Sequence, residues 1–122
     1  LLGVDAPERK KGSQPGQPMA EDAFKALRDE AMRGPTTVIV YGTDKYQRML
    51  CWVIDHAGYA LNLMLVESGL SVAYLTDHAP FAAGLLEAQR RAQAEKRGLW
   101  SLPKHETPEH YRRRIKSLGE RR

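Results

Sequence analysis

Apolar residues recur every three or four positions in two long segments, which is the spacing of a helix with one buried face. The first segment runs from Met19 to Arg33 and the second from Phe81 to Arg97. The apolar residues on these two faces are Ala20, Ala23, Phe24, Leu27 and Ala31, then Leu85, Ala88 and Ala92. Gly34-Pro35 follows the first segment and Gly98 follows the second, and both are typical helix ends. The pattern therefore predicts two long helices.

Shorter apolar segments rich in β-branched and aromatic residues predict strands. They are Thr36 to Tyr41, Met49 to Ile54 and Leu70 to Leu75, and Leu1 to Val4 is typical of the end of a fourth. Asp5-Ala6-Pro7 stops that last strand, because proline has no N–H for a ladder.

A short helix is predicted between two of these strands. Asn62 is expected to cap its N-terminus, the helix to end near Ser68, and Gly69 to follow as the C′ residue. Short strands with two long helices and one short helix indicate an α+β domain.

The composition fits one small basic domain. The chain has 122 residues, a formal net charge of +4 and a single cysteine, Cys51, which we expect in the core and which excludes an internal disulfide. Apolar stretches such as Met49 to Ile54 are too short to cross a bilayer. The positive charge fits a polyanionic partner, although a basic domain that binds nothing is the alternative.

Three motifs stand in a defined order along the chain. They are Leu-Leu-Gly-Val-Asp-Ala-Pro-Glu at 1–8, Thr-Asp-Lys-Tyr-Gln-Arg at 43–48 and Gly-Leu-Trp-Ser at 98–101, with supporting similarity across 61–70. Together they resemble the staphylococcal (micrococcal) nuclease, or thermonuclease, family over nearly all of residues 1–101. The resemblance implies an OB-fold, a five-stranded barrel with three helices. We expect a thermonuclease-like domain at 1–102, incomplete at its N-terminus, and a basic C-terminal tail at 103–122.

The resemblance also implies an activity, the Ca²⁺-dependent hydrolysis of phosphodiester bonds in DNA, RNA or both with low sequence specificity. Asp5 is then a Ca²⁺ ligand through its side chain, and Ala6 is one through its backbone carbonyl. Mg²⁺ stays an alternative, since one aspartate and one carbonyl do not distinguish the two ions. Glu8 is implied as the general base, whereas the local sequence alone favours an exposed turn residue. Arg48 is implied to contact the scissile phosphate and to stabilise its transition state.

Further residues are implied in substrate binding. Lys45 and Tyr46 match positions that contact a neighbouring phosphate, and Tyr74 matches an aromatic residue near the nucleotide. Both tyrosines could instead be ordinary strand aromatics. The basic loop Arg9-Lys10-Lys11 is a candidate for steering phosphates, with a solvated loop as the alternative. The histidines show no metal-ligand spacing and are assigned no chemistry.

Two other functions stay open at this point. In the family, two strands, a metal-binding aspartate and a catalytic arginine precede the Leu-Leu-Gly-Val stretch, and this sequence does not contain them. A binding module for nucleic acid or protein that lacks catalytic groups is the first alternative, and an inert fragment is the second. A monomer without membrane insertion is expected, and the resemblance alone favours a secreted or periplasmic location. The tail has seven Lys or Arg against three Glu and is expected to be solvated, with a specific role as the alternative.

Overall fold

The computed structural model describes residues 1–2, 4–7, 9–10, 16–74, 81–103 and 106–120. Within them the chain forms an α+β arrangement of short strands and four α-helices, which confirms the predicted class. The elements in chain order are β1 (Val4–Asp5), α1 (Ala20–Ala31), β2 (Thr37–Thr43), β3 (Met49–Ile54), α2 (Leu61–Glu67), β4 (Val72–Ala73), α3 (Ala82–Ala94), a 3₁₀ helix (Gly98–Ser101) and α4 (Pro108–Glu120).

The strands form two separate antiparallel sheets of two strands each. β1 pairs with β4, with Asp5 opposite Val72. β2 pairs with β3 over nearly their whole length, and the register shifts between Val40 and Gly42. The described residues thus form no closed barrel.

The core lies where β3, α2 and α3 meet. Trp52, Val66, Leu85 and Ala88 form one buried cluster. Phe81 stacks on Trp52 with ring centroids 3.9 Å apart, which adds an aromatic contact to the buried area. The residues predicted to face the core from α3 are all buried, so the helical period of the sequence correctly identified this face.

β2 lies outside this core. Every residue of the strand is exposed, including four large apolar side chains, Val38, Ile39, Val40 and Tyr41. In the described part of the chain, Phe81 meets the edge of the Tyr41 ring, with ring centroids 6.0 Å apart, but every residue of the strand stays exposed. β2 is therefore held in place mainly by its hydrogen-bonded ladder to β3.

Asn62 does not cap α2 as the sequence predicted. The helix begins at Leu61, and Ala60 occupies the N-cap position without a side-chain hydrogen bond. Asn62 is instead fully buried within the helix, and its side chain bonds backbone groups outside it. The N-cap assignment was wrong because the Asn62 amide instead forms hydrogen bonds with backbone groups of β3, the strand against which α2 packs.

Gly69 follows α2 as predicted, and its backbone contacts the start of the 3₁₀ helix that follows α3. Its φ of 74° lies in the left-handed region that favours glycine. The Leu99 N–H donates to the Gly69 carbonyl at 2.8 Å. A Cβ atom at Gly69 would lie 2.1 Å from the carbonyl oxygen of Arg97, so the close approach also requires glycine.

Residues 103–122, predicted as a basic tail, include helix α4. Pro108 and Tyr111 are buried, which shows that one side of this helix packs against the rest of the chain. The Gln17 side-chain amide donates to the Glu106 carbonyl at 3.0 Å and fastens the segment just before α4. Among the described helices, none is long and apolar enough to cross a membrane.

Candidate nucleic-acid site

The turn between β2 and β3 is organised by one aspartate, Asp44. Its Oδ1 atom accepts hydrogen bonds from the backbone N–H groups of Tyr46 and Arg48 at 2.8 and 2.9 Å. Gln47 adopts a φ of 64°, which closes the turn. An aspartate suits this position because its short side chain can bond backbone donors two and four residues ahead.

Asp44 also orients the side chain of Arg48. Its Oδ2 atom accepts from Arg48 Nε at 2.8 Å, while the Arg48 side chain is 75% exposed. The backbone hydrogen bond from Arg48, the largest cause, and the other hydrogen bonds of the turn lower the pKa of the Asp44 carboxyl. The carboxylate thus stays ionised near neutral pH and holds the Arg48 guanidinium through Nε.

Both cations of the turn lie near the ring of Tyr46. Lys45 Nζ and Arg48 Cζ are each 5.2 Å from the ring centroid. This is within the range of a cation–π contact, so the ring helps to keep two positive groups on one side of the hairpin. Tyr46 lies in the turn and is exposed, so it is not an aromatic residue packed within a strand.

A groove of about 410 Å³ gathers most of the residues implicated by sequence. β1 supplies Asp5, the turn after β2 supplies Lys45 and Arg48, and the end of β4 supplies Tyr74 because β1 and β4 are paired. The complete lining is Val4, Asp5, Lys45, Tyr46, Arg48, Tyr74 and Arg112. Three cations, one carboxylate and two exposed tyrosines can accommodate a phosphate and an aromatic base together.

Two sequence candidates that the structure describes, Ala6 and Arg9, lie outside this groove. Ala6 lines a different, largely apolar hollow of about 250 Å³ beside α1. Arg9 also lies there, with its Nε 3.1 Å from Glu21 Oε1 and its guanidinium 3.8 Å above the ring of Phe24. Glu8, the predicted general base, lies outside the described residues, as does Lys11 of the basic loop.

Arg112 is a groove residue that the sequence did not reveal. It lies on α4, and its Nη1 and Nη2 atoms donate to the two carboxylate oxygens of Asp5 at 3.1 and 2.7 Å. A signal for α4 was present, since Pro108, Tyr111, Ile115 and Leu118 repeat at the helical spacing. Because the segment is highly charged and has few apolar residues, the sequence pattern predicted a solvated tail instead of a packed helix.

The oxygen donors of Asp5 and Ala6 are of the hard type that Ca²⁺ and Mg²⁺ prefer. One carboxylate and one carbonyl from neighbouring residues would be part of a coordination shell, although Asp5 lines the groove and Ala6 lines the hollow beside α1. In the segments that the structure describes, no three His, Cys, Asp or Glu side chains converge to form a larger metal site. Any such ion would therefore need further oxygens from substrate, from water or from residues not described.

Comparison with known proteins decides the family. The model of the staphylococcal nuclease homologue family matches residues 1–102, which is most of the chain. The chain belongs to this family. The match extends from β1 to the residue just after the 3₁₀ helix, and it includes every sequence-predicted groove residue. Arg112 and the rest of α4 lie beyond the staphylococcal nuclease homologue region.

Several curated relatives are named as endonucleases. A "Probable endonuclease LCL3" of Zygosaccharomyces rouxii is 33% identical over 94% of this chain and 44% of the relative. The protein of the same name in Meyerozyma guilliermondii is 32% identical over 88% of the chain and 50% of the relative. "Endonuclease Htp3" of Saprolegnia parasitica is 33% identical over 93% and 57%. The chain thus spans about half the length of these relatives.

Proposed function

We propose that this chain is the catalytic domain of a Ca²⁺-dependent nuclease that hydrolyses phosphodiester bonds of DNA, RNA or both with low sequence specificity. The observation that carries the proposal is the convergence of Asp5, Lys45, Arg48 and Tyr74 on one groove from three separate parts of the chain. Membership of the staphylococcal nuclease homologue family and the endonuclease names of the relatives support it.

In this proposal Arg48 binds the scissile phosphate. Its guanidinium is permanently charged and is oriented through Nε by Asp44, so its terminal N–H groups are available for two phosphoryl oxygens. Charge that develops on those oxygens in the transition state strengthens both hydrogen bonds. Asp44 is thus a positioning residue, and Arg48 is a catalytic residue.

The other residues implied by the family resemblance have complementary roles. Glu8 accepts a proton from the attacking water, whose oxygen forms the new bond to phosphorus while the bond to the leaving oxygen breaks and that oxygen takes up a proton from solvent. Lys45 and Tyr46 bind the neighbouring phosphate, and Tyr74 stacks near the base. Asp5 and the Ala6 carbonyl would hold Ca²⁺, with Mg²⁺ as the alternative ion. Bound there, the ion would supply positive charge for the phosphoryl oxygens.

The proposal includes the architecture implied by the family. The pairs β1–β4 and β2–β3 would be parts of a five-stranded OB barrel, and the exposed face of β2 is a surface that further strands could cover. Residues 1–102 form the nuclease domain, residues 103–122 are an added basic segment, and the domain acts as a monomer.

A binding module of the same fold is the second candidate. One observation favours it: Asp5 is the only carboxylate that lines the groove in the described part of the chain, and both of its oxygens are bonded to Arg112. Such a groove could bind a nucleic-acid backbone through its cations without cutting it.

Cleavage of single-stranded DNA by the full-length protein separates the two candidates. The nuclease is expected to release short fragments when Ca²⁺ is added and to stop when the ion is chelated. Glu8→Gln is expected to reduce the rate strongly without weakening DNA binding. Arg90→Ala is the control, because Arg90 pairs with Glu87 on the exposed side of α3 and lies outside the groove. Binding without Ca²⁺-dependent cleavage in the unaltered protein would support the binding module instead.

A further inference from the structure

The ion pair between Arg112 and Asp5 connects α4 to β1 at the proposed site. Both terminal nitrogens of the guanidinium donate to both oxygens of the carboxylate, at 3.1 and 2.7 Å. The Asp5 side chain is 16% exposed and that of Arg112 is 44% exposed. A two-pronged arginine–carboxylate pair with one partner mostly withdrawn from water is stronger than an ordinary surface pair.

Helix α4 places Arg112 there through contacts of its own. The preceding residue, Tyr111, is 5% exposed and anchors the first turns of the helix. Arg114 Nε lies 3.0 Å from Glu106 Oε2, and Glu106 is itself fastened through its carbonyl to Gln17. Because α4 is packed against the rest of the chain, it holds Arg112 close to Asp5. Less conformational entropy is therefore lost when the ion pair forms.

The position of the guanidinium conflicts with the role proposed for Asp5. A hard divalent cation binds carboxylate oxygens directly, and the same two oxygens now accept hydrogen bonds from Arg112. Two positive groups on one carboxylate also repel each other. Binding of a cation at Asp5 therefore requires Arg112 to move away.

We propose that Arg112 is a built-in counter-ion that closes the Asp5 site in the cation-free protein, so that a divalent cation binds only by displacing it. This inference rests on the proposed role of Asp5 as a metal ligand. It makes α4 a regulator of the groove, since any contact that holds α4 in place weakens cation binding and any contact that draws Arg112 away strengthens it.

Cation affinity of the full-length protein, measured by calorimetric titration with Ca²⁺ alone, tests the proposal. Arg112→Gln is expected to bind Ca²⁺ about three- to tenfold more tightly, because the competing ion pair is lost. Arg113→Gln is the matched control. It removes the same charge from the same helix, but its ion-pair partner is Glu109 of α4. Its Ca²⁺ affinity is expected to stay within about twofold of the unaltered protein.

A second variant guards against a folding defect. Arg112→Lys keeps the charge but loses the fork, so its affinity is expected to fall between those of the unaltered protein and Arg112→Gln. Circular dichroism checks that α4 persists in each variant. An Arg112→Gln affinity equal to or weaker than that of Arg113→Gln overturns the proposal.

Asp5→Asn distinguishes failure of this inference from failure of the proposed function. If Asp5→Asn loses Ca²⁺ binding while Arg112→Gln leaves it unchanged, Asp5 is a ligand and only the counter-ion role is overturned. If Asp5→Asn binds Ca²⁺ as the unaltered protein does, Asp5 is not a ligand, and both the proposed metal role and the counter-ion role are overturned.

Discussion

Replacing Asn62 with alanine is expected to destabilise the domain strongly. The buried amide makes three hydrogen bonds to the backbone: Oδ1 accepts from the Val53 N–H at 2.9 Å, and Nδ2 donates to the carbonyls of Leu2 and Cys51 at 2.9 and 3.0 Å. The Cys51 carbonyl also accepts from the Leu2 N–H at 2.8 Å, so it keeps one partner after the change. The Val53 N–H and the Leu2 carbonyl lose the partner shown here.

The size of the effect follows from these two losses. A net hydrogen bond contributes about 1 kcal/mol, and leaving a buried group without a partner costs about 1–3 kcal/mol. Asn62→Ala should therefore lower the free energy of unfolding by about 2–6 kcal/mol, toward the smaller value if water enters the space. This is a large part of the roughly 5–15 kcal/mol typical of a folded domain.

Urea unfolding followed by circular dichroism measures this change. Asn62→Asp is a useful companion, because it keeps an acceptor for Val53 but turns a carboxylate oxygen toward two carbonyls, and it should destabilise at least as much. Gln93→Ala on the exposed side of α3 is the control and should change stability by less than about 0.5 kcal/mol. A loss below about 1 kcal/mol for Asn62→Ala would show that these buried hydrogen bonds contribute little to stability.

Three further predictions concern the turn, a tyrosine and a glycine. Asp44→Asn keeps an oxygen for the turn but removes the acceptor of Arg48 Nε, so kcat for DNA cleavage should fall by about tenfold while Ca²⁺ affinity is unchanged. The hydroxyl of Tyr59 donates to the Glu67 carboxylate, which raises the pKa of Tyr59 to about 12. This contact therefore stabilises the fold below about pH 10 and is lost as the pH rises through 12, as ultraviolet titration against Tyr59→Phe should show. Gly69→Ala should cost roughly 1–3 kcal/mol in urea unfolding, because the left-handed φ and the facing carbonyl both exclude a Cβ atom.

Each of these outcomes has a clear opposite. An unchanged kcat for Asp44→Asn would show that Arg48 needs no orienting partner. Titration of Tyr59 near pH 10 in the folded protein would show that the contact to Glu67 is absent in solution. A stable Gly69→Ala variant, compared with alanine at the exposed Gly84, would show that the junction can relax.

The sequence predicted best what depends on local periodicity. The apolar spacing of α3 identified its buried face, and an apolar run identified β3 with its observed ends, Met49 and Ile54. Gly69 was identified because a helix end that needs positive φ favours glycine. These features are set by residues a few positions apart, so a sequence pattern contains them.

Features that depend on contacts between distant residues were harder to predict. The side chain of Asn62 reaches Leu2, sixty positions away. Nothing in the neighbouring sequence indicates that Asn62 makes this contact instead of capping the helix. The pairing of Arg112 with Asp5 spans 107 positions, and a charged segment with few apolar residues gave no reason to expect it. The groove itself was anticipated only through the family resemblance, because composition and spacing do not bring β1, the Asp44 turn and Tyr74 together.

We propose that the groove is a catalytic site in which Arg48 acts on the scissile phosphate. The most direct test is the single-turnover rate of DNA cleavage by full-length Arg48→Ala at saturating Ca²⁺, with Arg90→Ala as control. We expect a loss of about 10²–10³-fold for Arg48→Ala and an unchanged rate for Arg90→Ala. An Arg48→Ala protein that cleaves as fast as the control would show that Arg48 does not act on the scissile phosphate.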